Sequence, residues 1–564
     1  MTHDTTSKAA APSHPAEQRT AVLIAGAGPA GLTLANLLGL YGTAAIIVER
    51  NAALSDVPKA LMIDDEYFRL LDTLGIADEM KPHCAFPVGM KYYAMFGFPI
   101  AQIGGHVTAN RFAARSATWQ PALERALLQN LRRFPSVSVR FQQTLSAIEE
   151  CADGIRARVV GTDGGSTEIV AAFLVGADGA RSTVRKLLNV EFEGTTLSAQ
   201  RHVVVDVADD PDGDLVGKLI LDPALPSTSL PLAYHGRRYE FKIGPDIDAE
   251  QILTDTSVRR LISRFRDVRD LKIIRKTVYT FHGRLAKRFR KGPAFLIGDA
   301  AHAMPPFGAQ GMNSGARDAN NLAWKLARVI EGRAGRTLLD TYDQERRDQV
   351  AGTIAIAVRQ GRLVNTASYA AALVRDLVFL ALSIVPPVKR YIAQMKYIPK
   401  PFLRAGVVLG KPSRDERAVL GRVLPQPDVR EGDGKPQLLD KLVGPNFAIL
   451  AIEPKTTVPI AGIDHPLWRA VGTRFLSLHW SPSRPIVGFR PLQVVSPHLD
   501  HVLERHRGQL LIVRPDRLVA AIADASGLEN AAGALARLMG TPQRGDVPPL
   551  NIDRSPGRVA VAAP

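Results

Sequence analysis

Val22-Leu23-Ile24-Ala25-Gly26-Ala27-Gly28-Pro29-Ala30-Gly31 is the stretch that decides the fold. A short apolar run, suited to a buried strand, ends in a glycine turn, and a helix pattern runs from Pro29 to Leu40. A second apolar run follows from Ala44 to Val48 and ends in Glu49. Strand, helix and strand make a βαβ unit that opens a parallel sheet. Each glycine has its own task in such a turn. Gly26 permits the tight turn, Gly28 lets backbone approach a pyrophosphate, and Gly31 lets helix pack closely on strand. The helix N-terminus, entered through Pro29 and Ala30, offers free N–H groups and partial positive charge to phosphates. An acid about twenty residues further on can hold ribose hydroxyls. Glu49, followed by Arg50, stands there. A strand–helix turn with no ligand would leave that terminal acid without a reason.

Two further strand-end motifs lie downstream. Gly176-Ala177-Asp178-Gly179-Ala180-Arg181 follows the apolar run Phe173 to Val175. Taken alone, Asp178-Gly179 is a turn signal more often than a site. Gly298-Asp299-Ala300-Ala301-His302 follows Ala294 to Ile297 and continues as Pro305-Pro306-Phe307-Gly308-Ala309-Gln310-Gly311-Met312-Asn313-Ser314-Gly315. Asp299 is placed to bind a ribityl chain. A helix opening near Gly311, with its clear pattern from Gly315 to about Ile330, would aim N–H groups at whatever lies before it. That suits the N1–C2=O edge of a reduced, anionic flavin. His302 reads as structural, since no second histidine lies at metal-ligand spacing, and no metal site is expected.

The middle of the chain changes character. His202 to Val207, Val216 to Leu221 and Tyr239 to Ile243 have the pattern of antiparallel strands in a sheet inserted into the nucleotide domain. Tyr234, His235 and Arg237 fall there as substrate-side candidates, with ordinary strand residues as the plainer reading. The apolar run Leu377 to Val385 stops at Pro386-Pro387. It is too short to span a bilayer and predicts a buried or surface-packed helix. A Pro/Gly-rich linker runs from Pro425 to Pro436, and beyond it a separate small α/β domain is expected. The expected division is a disordered tail over 1–19, a nucleotide domain over 20–190, a sheet domain over 191–280, a nucleotide-domain return with helices over 281–424, and a C-terminal domain over 425–564.

Composition narrows the function classes. The 564 residues, 46% hydrophobic, allow two or three cored domains. The net charge of +16 comes from basic residues spread along the whole chain, with no basic tract beside stacking aromatics. No nucleic-acid partner is expected; attraction of anionic ligands is the better use of the charge. The two cysteines, Cys84 and Cys151, make no disulfide framework and point to a reducing cytoplasm. The opening residues lack the apolar core of a signal peptide.

The three motifs, in this order and spacing, resemble the para-hydroxybenzoate hydroxylase superfamily of flavin monooxygenases. Ile63-Asp64-Asp65-Glu66, Val278-Tyr279-Thr280, Arg284-Leu285-Ala286, Leu339-Asp340-Thr341-Tyr342 and Glu345-Arg346-Arg347-Asp348 are similar to the 3-(3-hydroxyphenyl)propionate hydroxylase subgroup. So are Pro386-Pro387-Val388-Lys389-Arg390-Tyr391 and Arg514-Pro515-Asp516-Arg517. The resemblance implies an α/β protein: a Rossmann-like FAD domain, an inserted mixed β-sheet for substrate, and a thioredoxin-like C-terminal domain. That last segment holds no cysteine, so it cannot exchange disulfides. The implied reaction uses NADH or NADPH, O2 and non-covalent FAD to hydroxylate a phenolic substrate of the hydroxyphenylpropanoate kind, and a homodimer is the expected assembly. By resemblance, Gly26, Gly28, Gly31 and Glu49, with Pro29, Ala30 and Arg50 beside them, hold the ADP half of FAD. Asp299 serves the ribityl or pyrophosphate region, Asp178 serves FAD and the transient nicotinamide, and Gln120 touches the flavin. Pro306, Gly308, Gly311, Met312 and Asn313 hold the isoalloxazine ring. Lys59 stands where the subgroup usually has arginine, and Pro306-Phe307-Gly308 replaces a bulkier loop. Epoxidation or Baeyer–Villiger oxidation on the same fold, and a flavin-binding protein without turnover, are the competing readings.

Overall fold

The apolar run before Gly26 is fully buried, and it becomes the centre of a parallel sheet. In the computed structural model, which describes residues 18–394, 402–411, 419–454, 460–481, 486–496 and 500–541, the strand Gln18–Ala25 pairs with Ala45–Val48 on one side and Ser166–Gly176 on the other. Val137–Arg140 and Ala294–Leu296 extend the parallel core outward. Buried strands of this kind are apolar throughout because helices cover both faces. Gln18 and Arg19 belong to the first strand rather than to the expected tail; the rest of that tail lies outside the described residues.

A second sheet forms the floor of a cleft beside the first. Its order runs His302–Ala303, Lys272–Ala286, Phe192–Ala208, Arg237–Ile243, Ser227–Pro231, Val216–Ile220, Gly89–Tyr93 and Pro99–Gly104. The pairing of Val216–Ile220 with Gly89–Tyr93 is parallel and the others are antiparallel, so the sheet is mixed. It also draws two strands from before residue 190 and one from after 300, which a continuous insertion over 191–280 does not describe. Strand alternation sorts its faces. Val203, Val205, Val207, Tyr239, Phe241 and Ile243 pack on Val258 and Ile262 of the helix Asp255–Ile262, away from the cleft. His202, Val204, Arg238 and Glu240 face the cleft.

Among the described residues the C-terminal sheet has seven strands, with Ala448–Ile452 between Arg474–His479 and Leu510–Val513. It is less separate than the linker suggests. One of its faces shares a hydrophobic core with the nucleotide domain, where Phe447 meets Trp324 edge to face at 5.4 Å. Buried ions reinforce the joint. Arg69 grips Asp440 with two bonds of 2.7 Å, and Arg514 grips Glu345 at 2.8 and 2.9 Å.

Candidate cofactor and substrate cleft

One cavity of about 1450 Å³ runs from the glycine turn to the floor sheet. Its upper end is made of backbone. Gly26 has φ +107°, and a Cβ there would meet the carbonyl oxygen of Ala177 at 2.5 Å. A Cβ on Gly31 would fall 2.1 Å from the oxygen of Gly26. A Cβ on Gly28 would meet nothing within 4 Å, because Gly28 faces the open cavity. The first two glycines make the turn; the third leaves room for a ligand at the helix N-terminus. No side chain caps the helix Pro29–Leu40, so its first N–H groups are left for a phosphate. Glu49 follows its strand and accepts the Ala27 N–H at 2.9 Å and the Asn51 N–H at 2.9 Å, which fixes it beside the turn. Arg50 lines the same end.

A second uncapped helix, Gly311–Ile330, points its N-terminus into the cavity; it starts one turn earlier than its clearest sequence pattern. Gly298 and Gly315 let the two helices approach: a Cβ on Gly315 would lie 3.2 Å from the Cα of Gly298, and one on Gly298 3.1 Å from the Cβ of Ala30. Asp299 opens onto the cavity between them. Burial by the surrounding walls raises its carboxyl above the usual range, against the pull of His302 and Lys59. His302 itself is buried, its Nε2 2.7 Å from Asp318, and Asp318 also accepts from the Gly298 N–H at 2.9 Å and from Arg346 at 2.8 Å. His302 therefore braces the turn that presents Asp299. Among the described residues, no group of three or more His, Cys, Asp or Glu could hold a metal ion.

The other candidates fall into two groups. Lys59, Gln120, Asp178, Pro306, Gly308, Gly311 and Met312 line the cavity. Gln120 spends its amide on protein: its Oε1 accepts the N–H groups of Lys59 and Ala60, at 2.9 and 2.6 Å, and its Nε2 donates to Glu124. Arg238 and Arg275 donate to the Pro58 carbonyl from the floor, so the segment carrying Lys59 is held from both sides. Asp178 likewise caps the short helix Thr183–Leu187, accepting from the Thr183 and Val184 N–H groups. Asn313 does not reach the cavity. It is buried, and its amide bonds the backbone of Asp64, Met62 and Ala309, so it shapes the loop rather than lining it.

Tyr234, His235 and Arg237 are corrected by the structure. Tyr234 and His235 are turn residues with φ of 58° and 55°, and the Tyr234 hydroxyl bonds His83 on the outer side. Arg237 shares the cleft-averted face of its strand with Tyr239 and Phe241, and its guanidinium is held by Asp210, Asp212 and the Asp214 carbonyl. The cleft-facing residues are its even-numbered neighbours. Arg238 forms a two-bond pair with Asp206 at 2.6 and 2.8 Å. Burial raises the Glu240 carboxyl, with Arg238 opposing. His202 stacks on Phe281 at 4.5 Å, and both rings meet Phe307 of the loop edge to face. Tyr279 accepts from Arg275 at 2.6 Å. The alternation of His202 to Val207 is the sequence signal for this face; it marks a strand without saying which side meets the cleft.

The cavity is wide enough for a dinucleotide, with two helix N-termini and the Gly28 opening to receive it. The FAD binding domain family matches residues 19–357, well over half the chain. The chain belongs to the FAD binding domain family. Its cofactor is FAD, and the glycine turn and second helix fit that group. The C-terminal region matches the HcaD C-terminal domain over residues 421–538. Among relatives of this family member, a 3-(3-hydroxy-phenyl)propionate/3-hydroxycinnamic acid hydroxylase of Mycobacterium sp. (strain JLS) is 37% identical over 519 residues, covering 89% of both chains. A second hydroxylase of that name, from Burkholderia vietnamiensis (strain G4 / LMG 22486), is 36% identical and covers 92% of this chain and 96% of its own. The structure of aklavinone-11 hydroxylase with FAD and aklavinone is 25% identical, with TM-score 0.74, covering 92% of this chain and 99% of its own.

Proposed function

We propose that the protein is an FAD-dependent hydroxylase that uses NADH or NADPH and O2 to add a hydroxyl group to a phenol carrying a short carboxylate chain. The observation that carries the reading is the single cavity that joins a dinucleotide cradle to an aromatic-walled floor. FAD, reduced by NAD(P)H, supplies the activation of O2. Gly26, Gly28, Gly31 and Glu49 hold its ADP half, Asp299 its ribityl region, and Pro306, Gly308, Gly311 and Met312 its ring. Phe281 and Phe307 place the substrate ring and exclude water. His202, beside both, takes the phenol proton, which makes the ring more electron-rich. Arg359 and Arg362 are one helical turn apart on the cavity wall, with the reach to meet a carboxylate. The two free thiols, Cys84 and Cys151, support a reducing cytoplasm as the setting.

The test compares 3-(3-hydroxyphenyl)propionate, 3-ethylphenol and 3-phenylpropionate for stimulated NAD(P)H oxidation with product identification. Coupled hydroxylation is expected with the first, weaker turnover with the second and none with the third. Arg359→Ala with Arg362→Ala should raise KM for the first substrate about tenfold or more and leave the second unchanged. Equal coupling of the first two in the wild type removes the carboxylate from the reading. Hydroxylation of 3-phenylpropionate removes the phenol requirement.

A further inference from the structure

The helix Tyr369–Ile384 carries a buried ion pair on one side and exposed apolar side chains on the other. Its inner side carries charge: Arg375 and Asp376 are both buried and pair at 2.9 Å. Arg375 also donates to the carbonyls of Leu221 and Leu363, and Asp376 accepts the Met95 N–H at 2.9 Å. Its outer side is apolar. Leu373, Val374, Leu377, Val378 and Ile384 are exposed, Val374 at 62% and Ile384 at 74%. A helix on a water-facing surface turns its apolar stripe inward. Here a buried ion pair shares the inward side with Ala372 and Phe379, and a second apolar stripe faces out.

The patch continues on neighbouring elements. The next helix, Pro386–Ala393, exposes Tyr391. The hairpin joining Gly89–Tyr93 to Pro99–Gly104 exposes Phe96 at 72%, next to the Met95 that binds Asp376. A contiguous exposed apolar patch of this kind marks a surface that is covered in the working state. Its charge identifies the cover. Lys389 and Arg390 are exposed on the second helix, and the one acid between 369 and 394 is the buried Asp376. Two copies meeting through this patch would bring like-charged rims together. An anionic bilayer offers the opposite charge and an apolar interior.

We propose that this face docks on an anionic lipid surface, with the apolar stripe in the interface, Phe96 and Tyr391 at headgroup level and Lys389 and Arg390 over the phosphates. The attachment lies on the bilayer and does not cross it. No single described helix is long and apolar enough to span. The bend between this helix and the preceding helical segment, Arg336–Val364, is 110°, and that segment buries Glu345 and Arg346 in ion pairs inside the protein. Phe379, Leu382 and Ile392 line the cavity, so docking places one of its walls beside the lipid.

The test sediments the holoenzyme with vesicles of phosphatidylcholine and phosphatidylglycerol at physiological salt, and with phosphatidylcholine alone. The protein should pellet with the anionic vesicles and largely remain in solution with the neutral ones. Val374→Gln with Leu377→Gln and Ile384→Gln should lower binding about tenfold or more, and Lys389→Glu with Arg390→Glu at least as much, at roughly fivefold per lost cation. Both variants should keep their FAD and their lipid-free NAD(P)H oxidation, which shows that the fold is intact. Wild-type protein left in the supernatant with anionic vesicles overturns the proposal, as does undiminished binding of the triple variant. A lipid-free dimer, seen by sedimentation velocity and dissolved by the triple variant, also overturns it and assigns the face to a second copy.

Discussion

At the cofactor end of the cavity the working surface is backbone: glycines, two uncapped helix N-termini and the acid that holds the first turn. At the floor it is side chains: His202, Arg238, Glu240, Tyr279 and Phe281 on alternate positions of three strands. Backbone cannot be altered residue by residue without moving the turn that carries it. Side chains on a sheet can be exchanged while the sheet stays, because each points to one face only. The cofactor end should therefore lose fold and flavin together where a glycine makes the turn, and the floor should fail one function at a time.

The largest effect is expected at Gly26. Gly26→Ala puts a Cβ against the Ala177 oxygen at a backbone φ of +107°. It should lower the melting temperature and yield nearly colourless protein with turnover reduced on the order of 10³-fold or more. Gly28→Ala separates the two roles of the turn. Its Cβ meets no protein atom within 4 Å, so stability of the flavin-free protein should match wild type while FAD affinity drops. Full FAD content in purified Gly28→Ala would show that the pyrophosphate lies elsewhere.

The floor predicts the opposite pattern. His202→Gln should keep its FAD and melt normally, yet lose roughly 10²- to 10⁴-fold in kcat with little change in KM. Bound phenol should also lose the ultraviolet absorbance of a phenolate. An unchanged phenolate signal would mean that another group takes the proton, with Glu240 next in line on the same face.

This contrast also explains what could be read from the chain. Gly26 to Gly31, Asp178 and Asp299 sit in contiguous motifs at strand ends, where local pattern and function coincide. The floor is assembled across long separations: His202 lies beside Lys242 and Tyr279 only through strand register. Arg237 stands among the sequence candidates and Arg238 does not, because strand pattern alone does not say which face meets the cofactor. Pairing decides that, through the packing of Val203, Val205 and Tyr239 on the helix Asp255–Ile262. Asn313 belonged to a legible motif, but its amide turned to the Asp64, Met62 and Ala309 backbone, a contact 249 residues away for Asp64 that no local pattern carries. The helix Tyr369–Ile384 was legible as apolar and not as outward-facing, since its inner face depends on Leu221 and Met95.

Away from the cleft, the joint to the C-terminal sheet should affect stability more than turnover. Burial alone would raise the Glu345 carboxyl, but Arg514 and Lys325 outweigh it and hold it far below its ordinary range. Glu345→Gln leaves Lys325 buried without its paired carboxylate and Arg514 with Asp516 alone, and should cost about 3 kcal/mol. A pKa depressed on folding contributes stability that is complete above the unfolded value, near pH 4.3, and is lost as the pH falls below it. The difference between wild type and variant in urea unfolding should therefore narrow on acidification below about pH 4. A difference that widens in acid would contradict the pairing.

The smallest effect is expected at the cysteines, which lie at neither end of the comparison. Burial pushes the Cys84 thiol up to about 11, with its 3.5 Å bond to the Thr118 hydroxyl pulling the other way. A thiol that stays protonated at neutral pH is a poor nucleophile and a poor redox group. Cys151 closes the strand Gln143–Cys151 at a hairpin, and neither cysteine lines the cavity. Cys84→Ser with Cys151→Ser should keep kcat and FAD content within a few-fold of wild type. A loss of about a hundredfold at normal FAD content, roughly 2.7 kcal/mol of transition-state stabilisation, would place thiol chemistry in the reaction. Cys84 is the sharper half of the pair, because the strand Cys84–Ala85 pairs with Arg115–Thr118, and Arg115 lines the cavity. If only Cys84→Ser disturbed turnover, and did so by raising KM, the strand would be acting on the cavity wall through packing.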